Sequence, residues 1–75
     1  MYYVYLLKDR IKDEIYIGYS YDLKRRLKEH KLKNPELIYY EAYKSEKDAR
    51  NREMKLKQHG QSKRRLKERL VNSIT

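Results

Sequence analysis

The stretch "IYIGYSYDLKRRLKEH", residues 15–30, joins an extended segment to a helical one with very little chain between them. Its first half is rich in β-formers and predicts a strand over residues 14–19. Ser20 or Asp22 can cap a helix that runs to about Leu32. Helical spacing then places two polar side chains on the same face as two leucines. That face carries Leu23, Arg26, Leu27 and His30.

The chain on either side predicts two more strands and a capped helix. "YYVYLLKD" is apolar on both faces and predicts a covered strand over about residues 2–8. "ELIYYEAY" predicts a third strand over residues 36–43. Ser45 with Asp48 three residues later resembles a capping box, which opens a helix to about His59.

Breaking residues set the remaining boundaries. Asn34-Pro35 ends the first helix, Gly60 fits the stop of the second, and Ser62 opens a third. The predicted order is β-β-α-β-α-α. We therefore expect an α/β (α+β) fold, with a small three-stranded antiparallel sheet flanked by helices and a single domain over residues 1–75.

The composition restricts how this domain is stabilised. The 75 residues include nine Tyr but no Phe, Trp or Cys, so packing rather than disulfide or thiolate chemistry must hold it together. No apolar run approaches the roughly 20 residues of a membrane span. "MYYVYLL" reads as a first strand rather than a signal peptide. We expect a soluble cytoplasmic protein with no membrane partner.

The charge balance points to the partner. Lys and Arg number 20 against 11 Asp and Glu, which gives a net charge of +9. Such an excess on a small surface attracts polyanions and favours nucleic acid. The alternative is a lysine-rich surface that only keeps the protein soluble.

Three polar residues lie where a purely structural pattern would have apolar ones. Arg26 and His30 are in the first helix, and Glu53 lies between Ala49 and Leu56 on the second. A carboxylate on a core-facing stripe is costly unless it is paired. An internal Arg26–Glu53 ion pair, together with a hydrogen-bonded His30, would explain each residue taken singly. The three together, on helices that should flank one sheet, suggest instead the wall of a cleft.

Several short motifs in order make the chain resemble the GIY-YIG nuclease family, in particular its small stand-alone bacterial members. "YVY" (Tyr3–Tyr5) and "YIG" (Tyr16–Gly18) match the two naming tripeptides. "DLKRRLKEH" is similar to the family's helix motif, and "ARNREMKLK" to its metal-binding helix. The resemblance covers about residues 2–70. Gly18 by itself is more easily explained as a bend in the strand than as a site of phosphate approach.

The resemblance implies a catalytic residue set. It assigns Tyr5 as general base or water activator and Tyr16 to a place beside the scissile phosphate. It assigns Arg26 to phosphate charge, His30 to proton removal, and Glu53 to a single Mg²⁺ or Mn²⁺ ion. The implied activity is metal-dependent endonuclease cleavage of nucleic acid, with DNA favoured over RNA and with low sequence specificity.

The sequence departs from the family pattern at two places. Tyr3 stands where the first glycine of the motif is expected, and "KLKNPEL" is shorter than the usual basic loop before the third strand. A non-catalytic DNA- or RNA-binding module is therefore an alternative, as is a domain that works within a larger repair or processing assembly. Without the loop, we expect basic helix residues to hold nucleic acid. The predicted contact residues are Arg25, Arg26, Lys63 and Arg64.

Overall fold

A computed structural model of the chain describes residues 1–9, 11–12, 14–29 and 35–74. The predicted order is confirmed, with one short helix added at the end. The elements are β1 (Tyr2–Asp9), β2 (Glu14–Ser20), α1 (Leu23–Glu29), β3 (Pro35–Tyr43), α2 (Glu46–Gln58), α3 (Gly60–Arg69) and α4 (Val71–Ile74). No helix within the described ranges is long and apolar enough to span a bilayer.

The sheet explains why the first strand is apolar on both faces. Its three strands run antiparallel in the order β2-β1-β3, so β1 is central. Val4, Tyr5, Leu6 and Leu7 are all buried, two on each face of the sheet. The predicted covered strand is confirmed.

The two faces of the sheet have different neighbours. Val4 and Leu6 join Ala49, Leu56 and Leu66 in one hydrophobic core, which places α2 and α3 on that face. The side chain of Tyr5 points to the opposite face, because side chains alternate along a strand. α1 lies on the Tyr5 face.

A hydrogen-bonded carboxylate ties α2 to β3 on the helix-covered face. Both Glu41 oxygens accept from Arg52, at 2.9 Å from Nε and 3.1 Å from Nη2. The Tyr39 hydroxyl donates to Glu41 at 2.6 Å, and the Tyr43 hydroxyl donates to its other oxygen. Burial by itself would raise the pKa of Glu41, but these donors lower it. Burial, followed in size by the hydrogen bond to Glu41, raises the pKa of Tyr43 to about 12.

Side-chain caps begin two helices where the sequence predicts them. The backbone N–H of Arg25 donates to Asp22 Oδ1 at 3.1 Å, so Asp22 rather than Ser20 caps α1. The backbone N–H of Asp48 donates to Ser45 Oγ at 3.4 Å, which confirms the cap of α2. The predicted end of α1 near Leu32 and its break at Asn34 lie outside the described residues.

The break between the last two long helices differs from the prediction. Gly60 is the first residue of α3 and not the stop of α2, and Ser62 does not open the helix. The chain turns at His59, whose φ of −104° and ψ of 99° are extended rather than left-handed. Gly60, which follows this residue, is not in the left-handed conformation that glycine supplies at many helix ends, so it does not end α2 in that way.

Candidate active site

The glycine of the YIG motif makes room for a tyrosine ring. Gly18 lies directly opposite Tyr5 in the β1–β2 register. A Cβ at position 18 would come within 2.3 Å of both Cζ and Oη of Tyr5. The interpretation of Gly18 as a bend is therefore wrong: the residue lies in the strand, and its missing side chain lets the ring of Tyr5 cross β2.

The ring of Tyr5 in turn holds the arginine of α1. Tyr5 is only 2% exposed, and its hydroxyl accepts from Arg26 Nε at 3.2 Å. That hydrogen bond raises the pKa of Arg26, so the guanidinium stays charged. The side chain of Arg26 as a whole is exposed. The Nε atom of Arg26 is therefore fixed, while the rest of the guanidinium faces solvent. The prediction that Arg26 turns toward the sheet is confirmed.

Tyr16 shares this sheet face and has a carboxylate partner that the sequence analysis missed. Tyr16 and Gly18 are two residues apart on β2, so their positions face the same way. The Tyr16 hydroxyl donates to Glu14 at 2.6 Å. This hydrogen bond, with the nearby negative charge, raises the pKa of Tyr16. Tyr16 is therefore a neutral hydroxyl at physiological pH. The alternation of Glu14 and Tyr16 was the available sequence signal.

Glu53 is positioned by the core stripe of α2 but pairs within its own helix. Its side chain is 21% exposed, and Lys57 Nζ lies 3.1 Å from its carboxylate. Arg50, one turn earlier, covers the Tyr19 ring of β2 at 4.6 Å from the ring centroid, so this side of α2 faces the β2 edge of the sheet. Over the described ranges, no hydrogen bond or ion pair joins Glu53 to Tyr5, Tyr16 or Arg26. The alternative Arg26–Glu53 ion pair is not formed.

Glu53 is a single carboxylate and not part of an acidic cluster in the described residues. The described part of the chain contains no group of three or more acidic or histidine side chains that could enclose a metal ion. A single carboxylate with several waters is nevertheless a common way to hold Mg²⁺. Glu53 fits that kind of site. A cation bound there would compete with the ammonium group of Lys57 for the Glu53 carboxylate. His30, the remaining member of the predicted set, lies outside the described residues.

The predicted contact residues for nucleic acid differ in how available they are. Arg25 is exposed but forms an ion pair with Glu29 at 3.6 Å. Its guanidinium also lies 5.6 Å from the ring centroid of Tyr21. Arg64 is exposed on α3, whereas Lys63 is half-buried because it shares the face of Leu66. Of these two residues of α3, Lys63 is therefore less available to nucleic acid than Arg64.

A cationic pocket between α2 and α3 was not predicted from the sequence. This arginine pocket is lined by Arg52, Ser62, Arg65, Leu66 and Arg69 and has a volume of about 280 Å³. Arg52 is held by Glu41, but neither Arg65 nor Arg69 has a carboxylate partner among the described residues. The i, i+4 spacing of Arg65 and Arg69 was the signal that could have indicated the pocket.

Comparison with known families places these features in one class. The family model described as the GIY-YIG catalytic domain matches residues 1–67. The chain therefore belongs to the GIY-YIG family, whose activity is of the nuclease kind and whose substrate is nucleic acid. No curated protein and no solved structure matches the chain.

Proposed function

We propose that this chain is an endonuclease that hydrolyses phosphodiester bonds with the help of a divalent cation. The substrate is nucleic acid, DNA in preference to RNA, and cleavage has low sequence specificity. The observation that carries the proposal is the Tyr5–Arg26 contact on the sheet face that Tyr16 shares. A buried tyrosine fixes a charged, outward-facing guanidinium on the sheet face that carries a second tyrosine, where a phosphate could be bound from solvent.

Arg26 is the group that we assign to the phosphate. Its Nε is occupied by Tyr5, so its terminal nitrogens are the donors for phosphate oxygens. A planar guanidinium can meet two oxygens at once, which a lysine cannot. Because its inner end is held, little reorganisation is required as negative charge develops on the phosphate.

The two tyrosines have different roles in this proposal. Tyr5 is 2% exposed and engaged with Arg26, which supports a positioning role more than direct activation of water. Tyr16, held by Glu14 as a neutral hydroxyl, would orient groups around the phosphate by hydrogen bonding. Proton removal from the attacking water is then left to His30, because a free histidine titrates near pH 6.5.

Glu53 is the residue that would hold the divalent cation, Mg²⁺ or Mn²⁺. Glu53 is carried by α2, which packs on the sheet face opposite Tyr5 and faces the β2 edge. An ion bound there would act on a phosphate that extends past this edge, where it would neutralise phosphate charge and relieve the leaving oxygen. A cation at Glu53 competes with Lys57 for the same carboxylate.

Binding of the rest of the substrate is assigned to cations on the helices. Arg25 and Arg26 lie on α1, and Arg64 lies on the exposed side of α3. The arginine pocket adds Arg65 and Arg69. The pocket is large enough for a backbone phosphate, and the two guanidinium groups supply the charge to bind it. Such contacts read no bases, which supports low sequence specificity.

One observation favours the alternative of a non-catalytic nucleic-acid-binding module. Glu53 pairs with Lys57 and makes no contact with the tyrosines or with Arg26 in the described part of the chain. If this pairing persists when nucleic acid binds, the chain would hold substrate without cleaving it.

A plasmid-nicking assay with and without Mg²⁺ or Mn²⁺ separates the two functions. Glu53→Ala should abolish metal-dependent nicking, leave the domain folded, and leave DNA binding unchanged or tighter because a negative charge is lost. Lys57→Ala is the matched control, since it removes the partner and should keep or increase nicking. If the wild-type chain binds the plasmid but nicks it with neither Mg²⁺ nor Mn²⁺, the result supports the binding module instead.

A further inference from the structure

A second concave surface lies on the same sheet face as Tyr5. Its lining combines exposed aromatic rings with the start of α1 and encloses a volume of about 330 Å³. This tyrosine pocket is lined by Tyr3, Tyr21, Asp22, Leu23, Lys24 and Tyr40. Its volume lies at the lower end of the range of about 300–1,000 Å³ that small-molecule sites occupy.

The rings of the tyrosine pocket are available for contact. Tyr21 and Tyr40 are 61% and 53% exposed, although large aromatic side chains normally bury much more of their surface. Tyr3 meets Tyr40 edge to face, with ring centroids 6.0 Å apart. This contact holds the Tyr40 ring in place without covering it, and the Tyr21 ring is held by Arg25. An exposed aromatic cluster of this kind usually marks a binding surface.

The register places the tyrosine pocket beside the proposed catalytic residues. Tyr40 lies directly opposite Tyr5 across the β1–β3 pair, and Tyr3 is two residues from Tyr5 on the same face. Asp22 caps α1 and Lys24 lies in its first turn, and the same helix carries Arg26. A phosphate held by Arg26 would therefore have one of its flanking nucleotides at this pocket.

We propose that the tyrosine pocket binds an unpaired nucleobase next to the scissile phosphate, so that the preferred substrate of this site is single-stranded nucleic acid. The proposal deepens the nuclease function proposed above and rests on it. Aromatic side chains bind single strands by stacking on the faces of successive bases. In a duplex those faces are already stacked on neighbouring bases, so only an unpaired or extruded base can enter.

The polar rim fits a nucleotide better than a purely apolar ligand. Lys24 can meet a backbone phosphate, while the Asp22 carboxylate can accept from a base edge. The Asp22 carboxylate already accepts from the backbone of Arg25 at 3.1 Å, so it is fixed in position. Arg25 in turn lies against the Tyr21 ring, which adds positive charge at the same rim.

Two oligonucleotides of equal charge separate base binding from phosphate binding. One is an oligothymidylate about eight nucleotides long, and the other is an abasic oligomer of the same length. The affinity of the wild-type chain for each is measured without a divalent cation, so that no cleavage is needed for the readout. We expect the wild type to prefer the oligothymidylate, and Tyr40→Ala to reduce affinity for it by about 5- to 100-fold while leaving abasic binding unchanged.

Three further variants make the result decisive. Tyr40→Phe keeps the ring and should retain the preference, and Met54→Ala removes an exposed apolar side chain on α2 and should leave both affinities unchanged. Tyr21→Ala serves in place of Tyr40→Ala if the latter fails to fold. Equal wild-type affinity for the two oligomers, or equal weakening of both by Tyr40→Ala, overturns the proposal. If the preference appears but the wild type nicks nothing in the plasmid assay with Mg²⁺ or Mn²⁺, the nuclease function fails and the base site stands.

Discussion

The ring of Tyr5 occupies the space that any side chain at position 18 would need. Because the Tyr5 hydroxyl also holds Arg26, the glycine controls the position of the arginine through the ring. The two tripeptides of the family motif are therefore coupled by packing: the first supplies the ring and the second supplies the gap.

Gly18→Ala should destabilise the domain and displace Tyr5. Inserting a methyl group into a filled space typically costs about 1–3 kcal/mol, and each kcal/mol lowers the Tm of a domain this size by roughly 4–8 °C. Thermal unfolding followed by circular dichroism measures the change. Gly60→Ala is the matched control, because its Cβ would meet nothing within 4 Å. A Gly18→Ala protein as stable as the Gly60→Ala protein would mean that the close packing is wrong.

The carboxylate of Glu41 should make the fold sensitive to acid. Its pKa is lowered in the folded state from an ordinary value of 4.5. The stabilisation is therefore present above about pH 4.5 and is lost as the pH falls through the lower folded value. Denaturant unfolding of the wild type across this range should show the loss. Glu41→Gln should remove much of this pH dependence, and Glu68→Gln, on the exposed side of α3, should leave it unchanged.

The main elements could be predicted from the sequence because they depend on local patterns. The strands follow from runs of β-formers, and the caps at Asp22 and Ser45 follow from side chains that bond to nearby backbone. The start of α3 could not be predicted, because His59 adopts an extended conformation that no residue type signals.

The candidate site was predictable in part for a similar reason. Helical spacing predicts that Arg26 turns toward the sheet, and its contact with Tyr5 confirms this. The reason for Gly18 could not be read from the strand alone, because the ring that fills its space comes from another strand. The arginine pocket likewise depends on how α2 and α3 are placed by the core.

Cations on α3 should set the salt dependence of nucleic-acid binding. Log affinity falls with log salt, and each lost phosphate contact makes this slope less steep by about 0.9 on duplex DNA. Charge reversal of Lys63 and Arg64 should flatten the slope and leave metal dependence unaltered. The half-burial of Lys63 makes Arg65→Ala with Arg69→Ala the cleaner pair, since both line the arginine pocket without a carboxylate partner among the described residues.

The matched control for this titration removes two exposed cations from another surface, Lys44→Ala with Lys47→Ala. All proteins are compared at several salt concentrations on one duplex. A slope that stays at the wild-type value after loss of Arg65 and Arg69 would leave α3 with a packing role only.

The central claim is that Arg26, held by Tyr5, stabilises charge on the phosphate during cleavage. The most direct measurement compares metal-dependent cleavage rates and DNA affinities of the wild type and Arg26→Lys. The variant keeps the charge but loses the planar fork, so we expect its cleavage rate to fall by about 100-fold or more, with affinity changed only a few-fold. Cleavage by the lysine variant at the wild-type rate would contradict the account.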